Sequence, residues 1–168
     1  CFGRLEGKMD ALTRGRIYNC DLEEFEERGV GCIPDLARVF KTCSRLCMLD
    51  LAGVHVDAAR AGILADGLSG ATFLRVLKLT YMNLDEDSVV HIFRLLNECR
   101  ALEVLNLQRN SLHAAALSAA VETLHRPCML RELDLSCNEF GPQGVACLGR
   151  VHHLFPKLLR LDLSCCRL

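Results

Sequence analysis

The sequence predicts an α/β fold: a curved solenoid with a parallel sheet on its concave face and helices on its convex face. Three observations predict it. The strings Leu46-Cys-Met-Leu49-Asp-Leu51, Leu74-Arg-Val-Leu77-Lys-Leu79, Leu102-Glu-Val-Leu105-Asn-Leu107, Leu130-Arg-Glu-Leu133-Asp-Leu135 and Leu158-Leu-Arg-Leu161-Asp-Leu163 repeat one pattern. They start at 46, 74, 102, 130 and 158, each 28 residues after the last, with Leu at all fifteen pattern positions. Between them run good helix formers with apolar spacing, at roughly 57–70, 85–99, 113–126 and 141–155. The 168 residues are 51% hydrophobic and 24% charged, a balance that suits a packed core and excludes a disordered tail.

The strand positions alternate core leucines with variable residues, as a strand with one buried face requires. Three residues past each last leucine stand Val54, Met82, Asn110, Asn138 and Cys166; two further on stand Val56, Leu84, Leu112, Phe140 and Leu168. Asp57 and Asp85 occupy helix N-cap positions, and Gly141-Pro142 opens the last helix, where Pro is tolerated.

This is the L-x-x-L-x-L-x-x-N/C-x-L signature, and the chain resembles the leucine-rich-repeat family. The 28-residue unit and the stretch Leu133-Asp-Leu-Ser-Cys-Asn-Glu-Phe-Gly-Pro-Gln-Gly-Val145 resemble its ribonuclease-inhibitor-like branch. Relatives of that branch include ribonuclease inhibitor, the sensor regions of NOD-like receptors and Ran GTPase-activating protein. The resemblance implies that the ninth-position Asn or Cys bonds backbone in the turn after each strand. Asn110, Asn138 and Cys166 keep that chemistry; Val54 and Met82 cannot, so the first two turns should depart from it, with Asn83 a substitute.

The array spans 46–168 with its last repeat incomplete, and residues 1–45 form a divergent N-terminal repeat or cap. There Ile17, Cys20 and Leu22 match the sixth, ninth and eleventh positions of a repeat starting at Leu12. That start lies 34 residues before Leu46, with the surplus placed in the acidic Glu23–Gly31 stretch. Pro34–Cys43 then aligns with a helix. The chain opens at Cys1 without a Met or a leader, which reads as a fragment. The bare last strand leads us to expect further repeats or a partner subunit over the C-terminal end.

Composition narrows function. The net charge of −1 is evenly spread, with eight basic and eight acidic side chains in residues 1–45, which argues against nucleic-acid contact. No run approaches the roughly 20 apolar residues of a membrane-spanning helix. The eleven cysteines carry no C-x-x-C pair, and many alternate with apolar residues, so we read them as reduced core residues in a cytoplasmic compartment.

The outward strand positions carry the candidates. Arg75, Lys78, Tyr81 and Arg109 form the expected partner-binding patch, because Tyr and Arg dominate binding hot spots. Three cations around one aromatic favour a protein partner with an acidic surface. Asp134 and Asp162 stand on adjacent strands, where close carboxylates can do acid–base work, but repetition of Leu-Asp-Leu explains them more simply. Cys137, Cys165 and Cys166 with His152 and His153 supply metal-ligand types, yet belong to opposite ends of a repeat, so no metal is expected. Nor does the sequence imply a cofactor or a catalytic residue. The expected function is a protein–protein interaction module or scaffold within a larger intracellular protein or assembly. The alternatives are an enzyme regulator similar to Ran GTPase-activating protein, or the sensing region of a NOD-like receptor.

Overall fold

The structure, a computed structural model, describes residues 16–17, 37–38, 40–41 and 46–168. Six short strands form one parallel sheet in chain order: β1 (Arg16–Ile17), β2 (Met48–Asp50), β3 (Val76–Lys78), β4 (Val104–Asn106), β5 (Glu132–Asp134) and β6 (Arg160–Asp162). The connections are helices α1 (Ala58–Leu68), α2 (Glu86–Glu98), α3 (Ala114–Glu122) and α4 (Gly141–Arg150), the last followed by a 3-10 turn at His152–Leu154. Strand, turn, helix and return make one coil of the solenoid, and each helix packs on the next.

The 28-residue period becomes the sheet register. Leu49 pairs with Leu77, Leu77 with Leu105, Leu105 with Leu133 and Leu133 with Leu161. The first-, fourth- and sixth-position leucines of the repeats at 46, 74, 102 and 130 are all buried. Each contributes about 1.5–3 kcal/mol by leaving water. Val56, Leu84, Leu112 and Phe140 fold in after the turn, and Ile92, Phe93 and Leu117 close the core from the helix side.

Local chemistry sets the helix bounds. The Asp57 carboxylate accepts from Arg60 N–H at 2.9 Å and that of Asp85 from Ser88 N–H at 2.8 Å, capping α1 and α2 as expected. His113, at the start of α3, makes no such bond. The helices stop short of the spans read from periodicity. The Thr123 hydroxyl, for example, donates to Ala120 O at 2.6 Å and satisfies a carbonyl at the end of α3, three residues before the expected limit. The fourth span, read as one helix to 155, breaks at Val151 (φ −107°, ψ 12°) into α4 and the 3-10 turn.

At the N-terminal side, Ile17 pairs with Leu49, a fourth-position residue. The sequence reading gave Ile17 the sixth position; the backbone ladder shifts it by two, so the offset is 49 − 17 = 32 residues, not 34. Residues 37, 38, 40 and 41 are helical, with Ala37 and Phe40 buried. Gly67 of α1 lies so close that a Cβ on it would stand 2.6 Å from Ala37 Cα, which requires glycine there. The proposed insertion at Glu23–Gly31 and the remaining alignment of 1–45 lie outside the described residues.

Candidate functional site

The turns after the strands are built by polar side chains that reach back one repeat. The Asn110 carboxamide oxygen accepts from Met82 N–H at 2.9 Å and Leu84 N–H at 3.3 Å, while its nitrogen donates to Leu79 O and Leu107 O. Asn138 repeats this one coil later, accepting from Asn110 N–H (3.0 Å) and Leu112 N–H (3.1 Å) and donating to Leu107 O and Leu135 O. The Cys166 thiol donates to Leu135 O at 3.2 Å, and burial raises its pKa above the ordinary thiol value. The turn at Met82 is therefore served by Asn110 and does not depart as expected. In the turn at Val54 no side-chain amide is in place among the described residues, and Val54 N–H bonds Leu51 O at 3.1 Å. Asn83 is exposed and makes no side-chain hydrogen bond among the described residues, so it is not the substitute.

All five turns share a left-handed residue at the eighth position: Gly53 (φ 82°), Tyr81 (55°), Arg109 (57°), Cys137 (56°) and Cys165 (57°). That conformation holds each side chain out at the rim of the sheet. Tyr81 N–H bonds Gln108 O at 3.0 Å, tying its turn to that of Arg109. Tyr81 is 71% exposed, Arg109 is also exposed, and neither side chain has a hydrogen-bond or ion-pair partner among the described residues.

Arg75 and Lys78 lie on the same face but are engaged. Arg75 pairs with Glu103 at 3.6 Å, which also holds Arg131 at 3.7 Å, and Lys78 pairs with Asp50 at 3.5 Å. The four residues thus share a surface but divide into an open pair, Tyr81 and Arg109, and two partly neutralised cations. Sequence reasoning passed over Met48, Val76 and Val104, half-buried at the third position of adjacent strands and forming an apolar stripe beside them. The signal was available, because the third position reads Met, Val, Val before turning charged at Glu132 and Arg160.

The fifth-position row is structural. Asp134 Oδ1 accepts from Ser136 N–H (3.0 Å) and its hydroxyl (2.6 Å), and Asn106 donates to Asp134 Oδ2 at 3.0 Å. Asp162 is bound to Ser164 in the same way, and the Ser164 hydroxyl and N–H hold its carboxyl below the usual carboxylate pKa. Both carboxylates tie a strand end to its turn through these hydrogen bonds, and the lowered Asp162 is poorly suited to general-acid work. Among the described residues, no three His, Cys, Asp or Glu side chains gather as a metal-holding group. His152 Nδ1 lies 2.8 Å from Gly149 O, on the helix side.

A parallel sheet in chain order, a helix returning from each strand and an Asn/Cys ladder in the turns define a leucine-rich-repeat solenoid, and this chain has that fold. The Leucine Rich repeat family model matches residues 126–149, which run from the end of one coil through β5 into α4. The chain is similar to mouse (Mus musculus) Protein NLRC5, 27% identical over 150 residues, covering 88% of this chain and 8% of that protein. It is also similar to bovine (Bos taurus) Tonsoku-like protein, 26% identical over 167 residues, covering 91% of this chain and 12% of that protein. The chain thus spans about a tenth of the length of these curated relatives. No helix among the described residues is long and apolar enough to cross a membrane.

Proposed function

We propose that this chain is a protein-recognition segment within a larger cytoplasmic protein, of the ribonuclease-inhibitor-like branch, without catalysis of its own. The observation that carries the reading is the open pair, Tyr81 and Arg109, held side by side at the rim of the sheet. A rigid aromatic and an unpaired guanidinium are the side chains that most often dominate protein interfaces. Lys78 and Arg75 extend the patch across the concave face, and Val76 and Val104 give it an apolar floor. The guanidinium, with two cations beside it, suits a partner segment carrying carboxylates. The divergent stretch 1–45 acts as the cap of the array.

Leu161 is 41% exposed and Leu168 67% exposed, whereas their counterparts in the preceding repeats are buried. That difference supports further repeats or a partner subunit over the β6 face. The test of the binding reading is affinity capture with the full-length protein and mass spectrometry, repeated with Tyr81→Ala/Arg109→Ala. A specific partner held equally well by both proteins overturns it.

A further inference from the structure

The rim row that begins with Tyr81 and Arg109 ends in two cysteines, Cys137 and Cys165, on consecutive turns. Both take the same left-handed conformation, φ 56° and 57°. Cys137 N–H bonds Ser164 O at 2.8 Å, so the parallel ladder continues through this pair of turns. Equivalent residues on laddered neighbours have Cα atoms about 5 Å apart, inside the roughly 4.4–6.8 Å that a disulfide spans. Equal backbone conformation at equal register makes the two Cα–Cβ bonds nearly parallel. Cβ atoms about 5 Å apart need to close by roughly half an ångström to enter the range a disulfide spans, and by about 1 Å to reach its usual separation. A turn at the rim has more room for that than the packed core.

Access separates these two thiols from their neighbours. Cys165 is exposed and Cys137 half-exposed, whereas Cys99, Cys128, Cys147 and Cys166 are buried. Cys166 follows Cys165 directly, but its Sγ is turned inward and occupied, donating to Leu135 O at 3.2 Å and Ser164 O at 3.6 Å. Burial also keeps it protonated, and the thiol form is the poorer nucleophile. Oxidation therefore has one accessible vicinal pair among the described cysteines.

We propose that Cys137 and Cys165 form an oxidisable dithiol site that a hydroperoxide converts to a disulfide joining two turns at the rim. The Cys165 thiolate attacks the O–O bond of hydrogen peroxide, taking one oxygen as a sulfenic acid and releasing hydroxide. The Cys137 thiolate then attacks that sulfur, the S–S bond forms and a second hydroxide leaves. The two thiol protons neutralise the two hydroxides, so two thiols and one peroxide give one disulfide and two waters. A thiol reductant reverses the step. The bond would fix the end of the rim row beside Arg109, but the proposal does not depend on that surface binding a partner.

The test treats the full chain with hydrogen peroxide, blocks remaining thiols and maps peptides without reduction. Cleavage after Glu132, Glu139, Arg160 and Arg167 separates Cys137 from Cys147 and leaves Cys165 with Cys166. The expected product links the 133–139 and 161–167 peptides, disappears on reduction, and is abolished in Cys137→Ser and in Cys165→Ser. It should persist in Cys166→Ala, which tells the two neighbours apart. Circular dichroism before and after oxidation should superpose, because the bond joins turns that are already adjacent. A link that survives Cys165→Ser overturns the proposal. So does finding Cys137 and Cys165 as separate overoxidised acids, or a link that appears only once the dichroism has been lost.

Discussion

At the scale of single residues, the turns are held by side chains whose work is shared between coils. Asn138 accepts from two backbone N–H groups of the preceding repeat and donates to carbonyls of both, while almost fully buried. Removing its carboxamide strands several polar groups at once, and each buried unsatisfied group costs about 1–3 kcal/mol. Asn138→Ala should therefore lower unfolding free energy by about 2–4 kcal/mol in chemical denaturation. Asn83→Gly, at an exposed left-handed position with φ 54°, should change it by less than about 0.5 kcal/mol. Equal losses from the two would mean the ladder contributes little. The ladder residues themselves were legible, because Asn110, Asn138 and Cys166 recur at one place in a strict period. That each would serve the preceding coil was not. A linear pattern assigns a side chain to its own turn, and the reach-back arises only once coils are stacked. The same stacking supplies the Met82 turn from Asn110, which no reading of residues 79–84 alone could anticipate.

At the scale of elements, the helix ends carry polar links that the apolar spacing does not report. The Asn97 carboxamide, buried near the end of α2, donates to Thr123 O at 3.0 Å and accepts from His125 N–H at 3.3 Å, bracketing the exit of α3. Cys99, just past α2, donates its thiol to Leu68 O at 3.2 Å, joining the ends of α1 and α2. Burial is the main reason its pKa rises from about 9 to about 11, with the Glu98 charge adding to it. A raised acid binds its proton more tightly folded than unfolded, so this stabilisation is complete below about pH 9 and is lost as pH climbs toward 11. Burial raises Cys128 and Cys166 as well, so they act in the same direction. Two units on Cys99 correspond to about 2–3 kcal/mol. Unfolding free energy should fall between pH 9 and pH 11, and Cys99→Ala should flatten part of that slope. An unchanged slope in the variant would place the titrating group elsewhere. The strands and helices were legible from leucine spacing and helix formers, and the caps at Asp57 and Asp85 from residue type. Their far ends were not, because side-chain bonds such as Thr123 to Ala120 O decide where the last carbonyl is satisfied.

At the scale of the whole molecule, the array has one continuous core and one open face, and the two should respond differently to mutation. Leu105 is fully buried in the central coils, and Leu105→Ala should cost about 2–5 kcal/mol; a loss under about 1 kcal/mol would be incompatible with its place in the ladder. The open face should show the reverse, a binding loss without a stability loss. Tyr81 and Arg109 sit in left-handed turns with no side-chain partner among the described residues, so Tyr81→Ala/Arg109→Ala removes exposed groups and leaves the core untouched. Thermal unfolding should be nearly unchanged. Affinity for the captured partner should fall at least tenfold, about 1.4 kcal/mol, the order expected when a hot-spot aromatic is truncated. Arg75 and Lys78 are already paired with Glu103 and Asp50, so their replacement should act chiefly on association rate and its salt dependence. Glu98→Ala/Arg100→Ala, exposed at the end of α2 and just past it, is the matched control and should leave binding within about twofold. Binding measured by titration calorimetry at two salt concentrations separates these outcomes. If the helix-side control abolishes binding while the rim pair does not, the docking face is the convex one.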